Sequence, residues 1–443
     1  MSTAPTKSSR PSFAAFRYPS FRLFTLAGML WMMADNIEHV ISYWVLYEKF
    51  ESPLLAGYAV VSHWAPFLLL GVIMGALADR YDCRKLCLIS MGLFMAVSLA
   101  WGYLFLTDTT EIWHSVLLLT LHGIAGSIFM PASQLIIHDI VGNKDLQSGV
   151  RLTATSRQIG ILLGPAIGGA LLLGLGPAWG IFANAFIYVP MIWWSLRQPY
   201  TGHSHEEPGV RPSPRIGLGS AWQVIKETSA NRTVMAMILL VGITSLLVGN
   251  AYHAQMPAFA RSFLTENAGF IYTALLAANA AGAVFGGLVL ESFAALQPEP
   301  RKAMVMAGLW ALCIVVFAVA PHFSIALAAL FVAGIFQIGF TSMATTLVQL
   351  AAPPAKRGQV IGVFSMSMNG LRMGSGITVG FLGALVGIHW SLGVSATILV
   401  LATVVLFFYV RSQRNSLAPA GRPSTLSADG DQGHLRDHVG GCC

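Results

Sequence analysis

The stretch Gly75-Ala76-Leu77-Ala78-Asp79-Arg80-Tyr81-Asp82-Cys83-Arg84-Lys85 packs five formal charges into eleven residues, between uncharged runs at 52–78 and 86–107. Each flanking run exceeds the roughly 20 apolar residues that a bilayer crossing needs, so the segment reads as a charged turn between two membrane helices. The same alternation continues along the chain, with further uncharged runs at 112–138, 158–196, 233–260, 267–290, 303–355 and 373–410. The composition agrees: 55% of the 443 residues are hydrophobic and only 10% charged, against about 25% charged in soluble domains. That excludes an ordinary soluble enzyme.

The three longest runs must each fold back on themselves, because one helix rising about 1.5 Å per residue would overshoot a core roughly 30 Å thick. Turn residues mark the reversals at Gly174 to Pro177, Pro321-His322 and Gly387 to Trp390. With a first span from about Leu23 to Tyr47, apolar apart from Asp35, Glu38 and His39, the expectation is an all-α membrane protein of twelve transmembrane helices. Their starts are expected near residues 23, 54, 86, 112, 150, 178, 233, 267, 303, 323, 357 and 389.

Nearly all Lys and Arg residues outside the spans fall on one side of this arrangement, including Arg22, Arg80, Arg84, Lys85, Lys144, Arg197, Arg232, Arg301, Lys302, Lys356 and Arg357; the opposite loops hold only Lys49 and Arg261. Basic loops stay cytoplasmic during insertion, so both termini are expected in the cytoplasm and the chain in the plasma (inner) membrane. The net charge of +7 is therefore a topology signal and a match for anionic lipid, with nothing else supporting nucleic-acid binding. The polar first 22 residues lack a small-residue cleavage pattern and read as a cytoplasmic segment. Residues 412–443 read as a disordered cytoplasmic tail ending in Cys442-Cys443, and the five cysteines show no secreted disulfide spacing.

Residues 198–232 contain Pro199, Pro208, Pro212 and Pro214 among polar residues and read as a cytoplasmic linker between six-helix bundles at 23–197 and 233–411. The halves repeat at a constant offset of 212 residues: Gly75 and Asp79 match Gly287 and Glu291, Gln147 matches Gln359, Gly164 matches Gly376, and Gly168 matches Gly380. Such a repeat is the mark of a secondary transporter with its substrate between the halves.

On these residues the chain resembles a twelve-helix major facilitator superfamily transporter, and the 75–85 loop is similar to that family's signature between helices 2 and 3. The resemblance implies a conformational latch: Gly75 for close contact, Asp79 at the N-terminus of helix 11, and Arg80, Arg84 and Lys85 as the basic set, Arg80 and Arg84 pairing with Asp139 in one conformation. Asp82 and Cys83 stand where the family usually has Gly and Arg. In helix 5, Gly160, Gly164, Pro165, Gly168 and Gly169 resemble the drug:proton antiporter motif, which implies export; their spacing also suits tight helix packing. Ser52-Pro53-Leu54, Gly57, Pro66, Pro131-Ala132 and Asp139-Ile140-Val141 resemble the branch of enterobactin and macrolide exporters, although Leu119 replaces a basic residue frequent in the drug antiporters. The superfamily commonly acts as a monomer.

Away from helix ends, four charges lie at membrane depth: Asp35, Glu38, Arg157 and Arg372. Each costs about 2.5 to 3.5 kcal/mol on insertion scales, so they are expected to face an interior cavity. Asp35 and Glu38 share a helix face, where two carboxylates cannot both carry charge cheaply, so one is expected to hold a proton. Depth along the helices places Arg372 level with them, as a partner either exchanged during transport or fixed as a buried ion pair. His39, His63, His122 and His253 are further proton candidates, or hydrogen-bonded packing residues. His203-Ser204-His205-Glu206-Glu207 reads as a solvated polar run. No metal or cofactor is expected, no phosphate loop precedes any of the seven lysines, and no catalytic set is evident. The expected function is proton-coupled export of a small organic molecule such as a drug or siderophore; the alternatives are a metabolite importer and a non-transporting sensor.

Overall fold

The computed structural model describes residues 12–50, 53–203, 226–229, 231–249, 252, 256, 259–260, 262–263, 268–292 and 297–415. The terminal tail with Cys442-Cys443, most of the proposed linker, Asn250 and His253 lie outside these residues.

The fold is all-helical. In the first half, α1 is Pro19–Phe50, α2 Pro53–Arg80 and α3 Cys83–Thr107. A helical run from Ile112 to Ile187 is broken at Gly142 (φ 62°, ψ 177°) and Gly176 (φ 73°, ψ 170°), a backbone region open essentially to glycine alone. The chain reverses at both. Gly149 lies against Val141 and Ile137, and Gly180 against Leu171. We therefore label residues 112–141 α4, 143–175 α5 and 177–197 α6, the last stepping at Tyr188. In the second half, α7 is Arg232–Leu247, α8 Ala268–Ser292, α9 Pro300–Ala318, α10 Phe323–Ala351 and α12 Ile388–Asn415. Between them α11, residues 357–386, alternates α-helix with π-helical turns at Met366–Gly370 and Gly376–Phe381.

Local chemistry sets several ends. Asp82 accepts a hydrogen bond from the Arg84 N–H and caps α3, and Asn231 does the same for α7 through Val234. Glu111 and His114 form a reciprocal cap at α4. At 25 residues α3 is about 37 Å long, enough to cross a bilayer. Seven runs among the described residues pass a length and apolarity test for crossing, one of them being the whole of α4 to α6. Helix α1 is not among them: it carries Asp35 and Glu38 mid-span.

Each half has its own core. Phe24, Trp31, Phe94, Phe129 and Trp194 anchor the first, and Phe259, Trp310, Phe317 and Phe364 the second; Val72, Ile361 and Ala154 cross over. Large apolar side chains also cover the outside, Leu173 and Val405 among them, a surface that lipid accommodates and water would not. With lipid outside, burying apolar surface gives little drive for helices to associate, so close backbone contact matters more.

Candidate functional site

The helix 5 motif seats α1. A Cβ on Gly160 would meet the Met29 carbonyl at 2.6 Å, one on Gly164 the Asn36 Cβ at 2.5 Å, and one on Gly168 the Ile37 Cα at 3.2 Å. Three of the motif's four glycines thus form the floor under the α1 segment holding Asp35 and Glu38. Gly169 faces open space and takes no part, and Pro165 lies within the helix.

So held, Asp35 and Glu38 point at one imidazole. His122 of α4 places Nε2 2.9 Å from Asp35 Oδ1 and Nδ1 2.8 Å from Glu38 Oε1, and all three side chains are buried. The Ser98 hydroxyl of α3 donates to Glu38 Oε2, and Asn184 of α6 to Ser98 at 3.4 Å. A neutral imidazole has one donor. Both contacts are hydrogen bonds only if the imidazole is doubly protonated or one carboxyl holds a proton. In either form one proton is shared among three buried groups that would otherwise carry two negative charges. His39 lies 3.7 Å from Asp35 Oδ2, and its ring centroid is 4.9 Å from those of both His63 and His122. His63 Nδ1 is buried and has no hydrogen-bond partner.

Asp35, His39, His63 and His122 each bring one ligand-type atom to within 4.8 Å of the others. Zinc-type ligands about 2.0 to 2.1 Å from an ion stand closer together, roughly 3.3 Å apart. In this conformation the hydrogen bonds described for the set are those of His122 to the two carboxylates, with His39 and His63 packed beside them.

Arg372 is level with this cluster, as depth along the helix implied, but its partner is different. The guanidinium stacks over Trp64 of α2 at 4.7 Å, while His122 bonds both carboxylates. Arg157 of α5 stacks over Trp31 at 5.6 Å and donates to Ser133 at 3.2 Å.

The 75–85 loop closes one end of the space between the halves. Asp79 accepts from the backbone N–H groups of Gly358 and Gln359, the latter at 2.8 Å, at the start of α11. The approach is so close that a Cβ on Gly75 would lie 2.1 Å from the Gly358 carbonyl oxygen. At the position related by the repeat, Glu291 of α8 meets α5: its Oε2 lies 3.1 Å from Arg151 Nη1, and Ser148 donates to its Oε1. Gln349 bonds Gln134 across the same end at 3.0 Å. The basic residues make other contacts in this conformation. Arg84 turns back to Asp82 (2.7 Å) and the Gln198 carbonyl (2.6 Å), Arg80 lies over Tyr81, and Lys85 follows in the first turn of α3; Asp139 accepts from the Gly202 N–H at 2.9 Å.

Sequence reasoning ranked His122 with three other histidines and missed Ser98 and Asn184. The one available signal was a histidine inside the uncharged run 112–138.

The all-helical fold and the repeat-related contacts of Asp79 and Glu291 agree with a membrane transporter of the major facilitator type. Residues 10–425 match the model of the family described as transmembrane secretion effector, and the chain belongs to that family. The enterobactin exporter EntS of Shigella boydii is 23% identical over 421 residues, covering 93% of this chain and 96% of the relative. The putative multidrug resistance protein MdtD of Klebsiella pneumoniae is 31% identical over 121 residues, 27% of this chain and 25% of that one. Among solved structures, the major facilitator transporter FucP in the outward conformation aligns with a TM-score of 0.68 at 13% identity, covering 90% of this chain and 99% of that one. The human organic anion transporter MFSD10 aligns with a TM-score of 0.66 at 14% identity, covering 87% and 98%. These likenesses establish the fold.

Proposed function

We propose that the chain is a proton-coupled exporter of a small organic molecule, working as a monomer in the inner membrane by alternating access between bundles at 23–197 and 233–411. In this reading residues 1–22, the linker 198–232 and the tail 412–443 are cytoplasmic, so the latched end faces the cytoplasm and the chamber opens outward. The observation that carries the coupling is His122 held between Asp35 and Glu38. Three buried groups share one proton, and a change in their spacing as the bundles rock alters what that proton costs. Export is supported by the Gly164-Pro165 motif and by the likeness to an enterobactin exporter along nearly the whole chain.

The test is proton movement in proteoliposomes on adding enterobactin or members of a panel of cationic drugs. A substrate-driven proton flux is expected in the wild type, falling to the level of empty liposomes in Asp35→Asn, Glu38→Gln and His122→Asn. Flux that survives in all three variants would remove the cluster from the coupling mechanism.

A further inference from the structure

Two charges remain unused by this coupling scheme. Arg157 and Arg372 lie at membrane depth, one from each half, and among the described residues neither guanidinium meets a carboxylate. The local acids are already engaged, since Asp35 and Glu38 both bond His122. With one shared proton that cluster carries a net charge of −1, so the two arginines leave the chamber at +1. An uncompensated cation at this depth is costly, and such charges occur where a pathway or ligand uses them.

The surroundings define what would compensate it. Arg157 Nε and Trp31 Nε1 are both buried without a hydrogen-bond partner: two donors that lack an acceptor, beside each other because the guanidinium lies over that indole. Aromatic rings run from there without a break. Trp31 lies 6.0 Å from Phe94, which lies 4.8 Å from His122. On the far side His122 lies 5.7 Å from His63, and His63 4.5 Å from Trp64, over which Arg372 is stacked. Trp31, Phe94 and His122 are buried, so these rings form a packed series with a guanidinium at each end.

We propose that the space beside Arg157 and Arg372 is the substrate site and that its ligand is an organic anion bearing an aromatic ring, the ring against Trp64 and its acidic group drawn by the two guanidinium groups. The assignment rests on the transport reading of the same chamber and narrows it to a charge class. Guanidinium groups bind carboxylate-type oxygens through paired N–H donors, and aromatic faces take a planar ring.

Matched probes with one ring and three charges test this: 2-naphthoate, 2-naphthamide and 2-naphthamidine, titrated into the purified full chain in detergent and followed by quenching of tryptophan fluorescence. Naphthoate is expected to bind at least about tenfold more tightly than naphthamide, with naphthamidine weakest. Arg157→Gln and Arg372→Gln are each expected to remove most of that preference, whereas Arg157→Lys and Arg372→Lys keep part of it. Equal binding of all three probes, tightest binding of naphthamidine, or an unchanged preference in both Gln variants overturns the proposal. Should a Gln variant fail to elute as a folded species, the wild-type charge series and the Lys variants still decide. The titration involves no gradient, so a failed proton flux beside an intact charge preference overturns the coupling scheme and leaves the anion site standing.

Discussion

The two contacts proposed as latches occupy repeat-related places and are made by different chemistry. Asp79 draws on backbone N–H groups at the start of α11, which are present whatever the side chains are, provided that two backbones can approach. That places the burden on Gly75 and Gly358. Glu291, one methylene longer, reaches side-chain donors on Arg151 and Ser148 instead. The glycine matching Gly75 is Gly287, and what crowds it is the Thr155 side chain rather than a backbone. One latch depends on the absence of a side chain and the other on the presence of one. A repeat can therefore preserve position while exchanging the interaction made there.

The largest effect is expected where a charge would be stranded. Arg151 and Glu291 are 3% and 2% exposed, and removing one partner of such a pair costs about 3 to 5 kcal/mol. Arg151→Leu should therefore spread the distance between spin labels on Tyr81 and Lys302, and Arg151→Leu with Glu291→Leu should recover most of the closed population. If the single variant stays as closed as the wild type, the second latch contributes nothing. The glycine contrast comes next. Gly75→Ala pushes backbone against backbone and should cost about 1 to 3 kcal/mol, while Gly287→Ala should cost clearly less, both read by the same label pair. Equal effects would erase the distinction between the latches.

The smallest effect separates the turns beside them. Asp82 caps α3 directly, whereas Glu299, the residue at the same end of α9, makes no capping bond and pairs with Lys302 at the surface, 3.0 Å away. Asp82→Ala should cost about 1 kcal/mol of thermal stability, and Glu299→Ala close to none. Partial burial alone would raise the Asp82 carboxyl, but the hydrogen bonds from Arg84 outweigh it and hold the group below the ordinary carboxylate range. A lowered acid stabilises above its unfolded value, about 3.9, and loses that contribution as pH falls through the folded one. The gap between wild type and Asp82→Ala should narrow in melts taken below about pH 4; a constant gap would mean that the charge is irrelevant there.

Much of the fold was legible because charge spacing and turn residues report helix ends directly. Starts expected near 112, 323 and 357 fall on Ile112, Phe323 and Arg357. Helix 5 was expected near 150 yet begins at 143, because a single glycine makes the turn and Lys144 and Asp145 already lie within the helix. The π-helical turns of α11 left no trace in residue type. In the site, the acidic pair was legible from its depth, but its partner was not. Rise per residue gives height in the membrane and says nothing of the direction in which a side chain points. Arg372 has the right height and faces Trp64, while His122, on another helix, faces the acids.

The one-residue reversal at Gly176 bears on how the chain enters the membrane. With Leu175 ending one helix and Pro177 opening the next, no loop is left that could cross the bilayer ahead of its helices. The insertion machinery must take α5 and α6 as a single hairpin, so the combined apolarity of 158–196, rather than that of either helix alone, decides whether the pair is inserted.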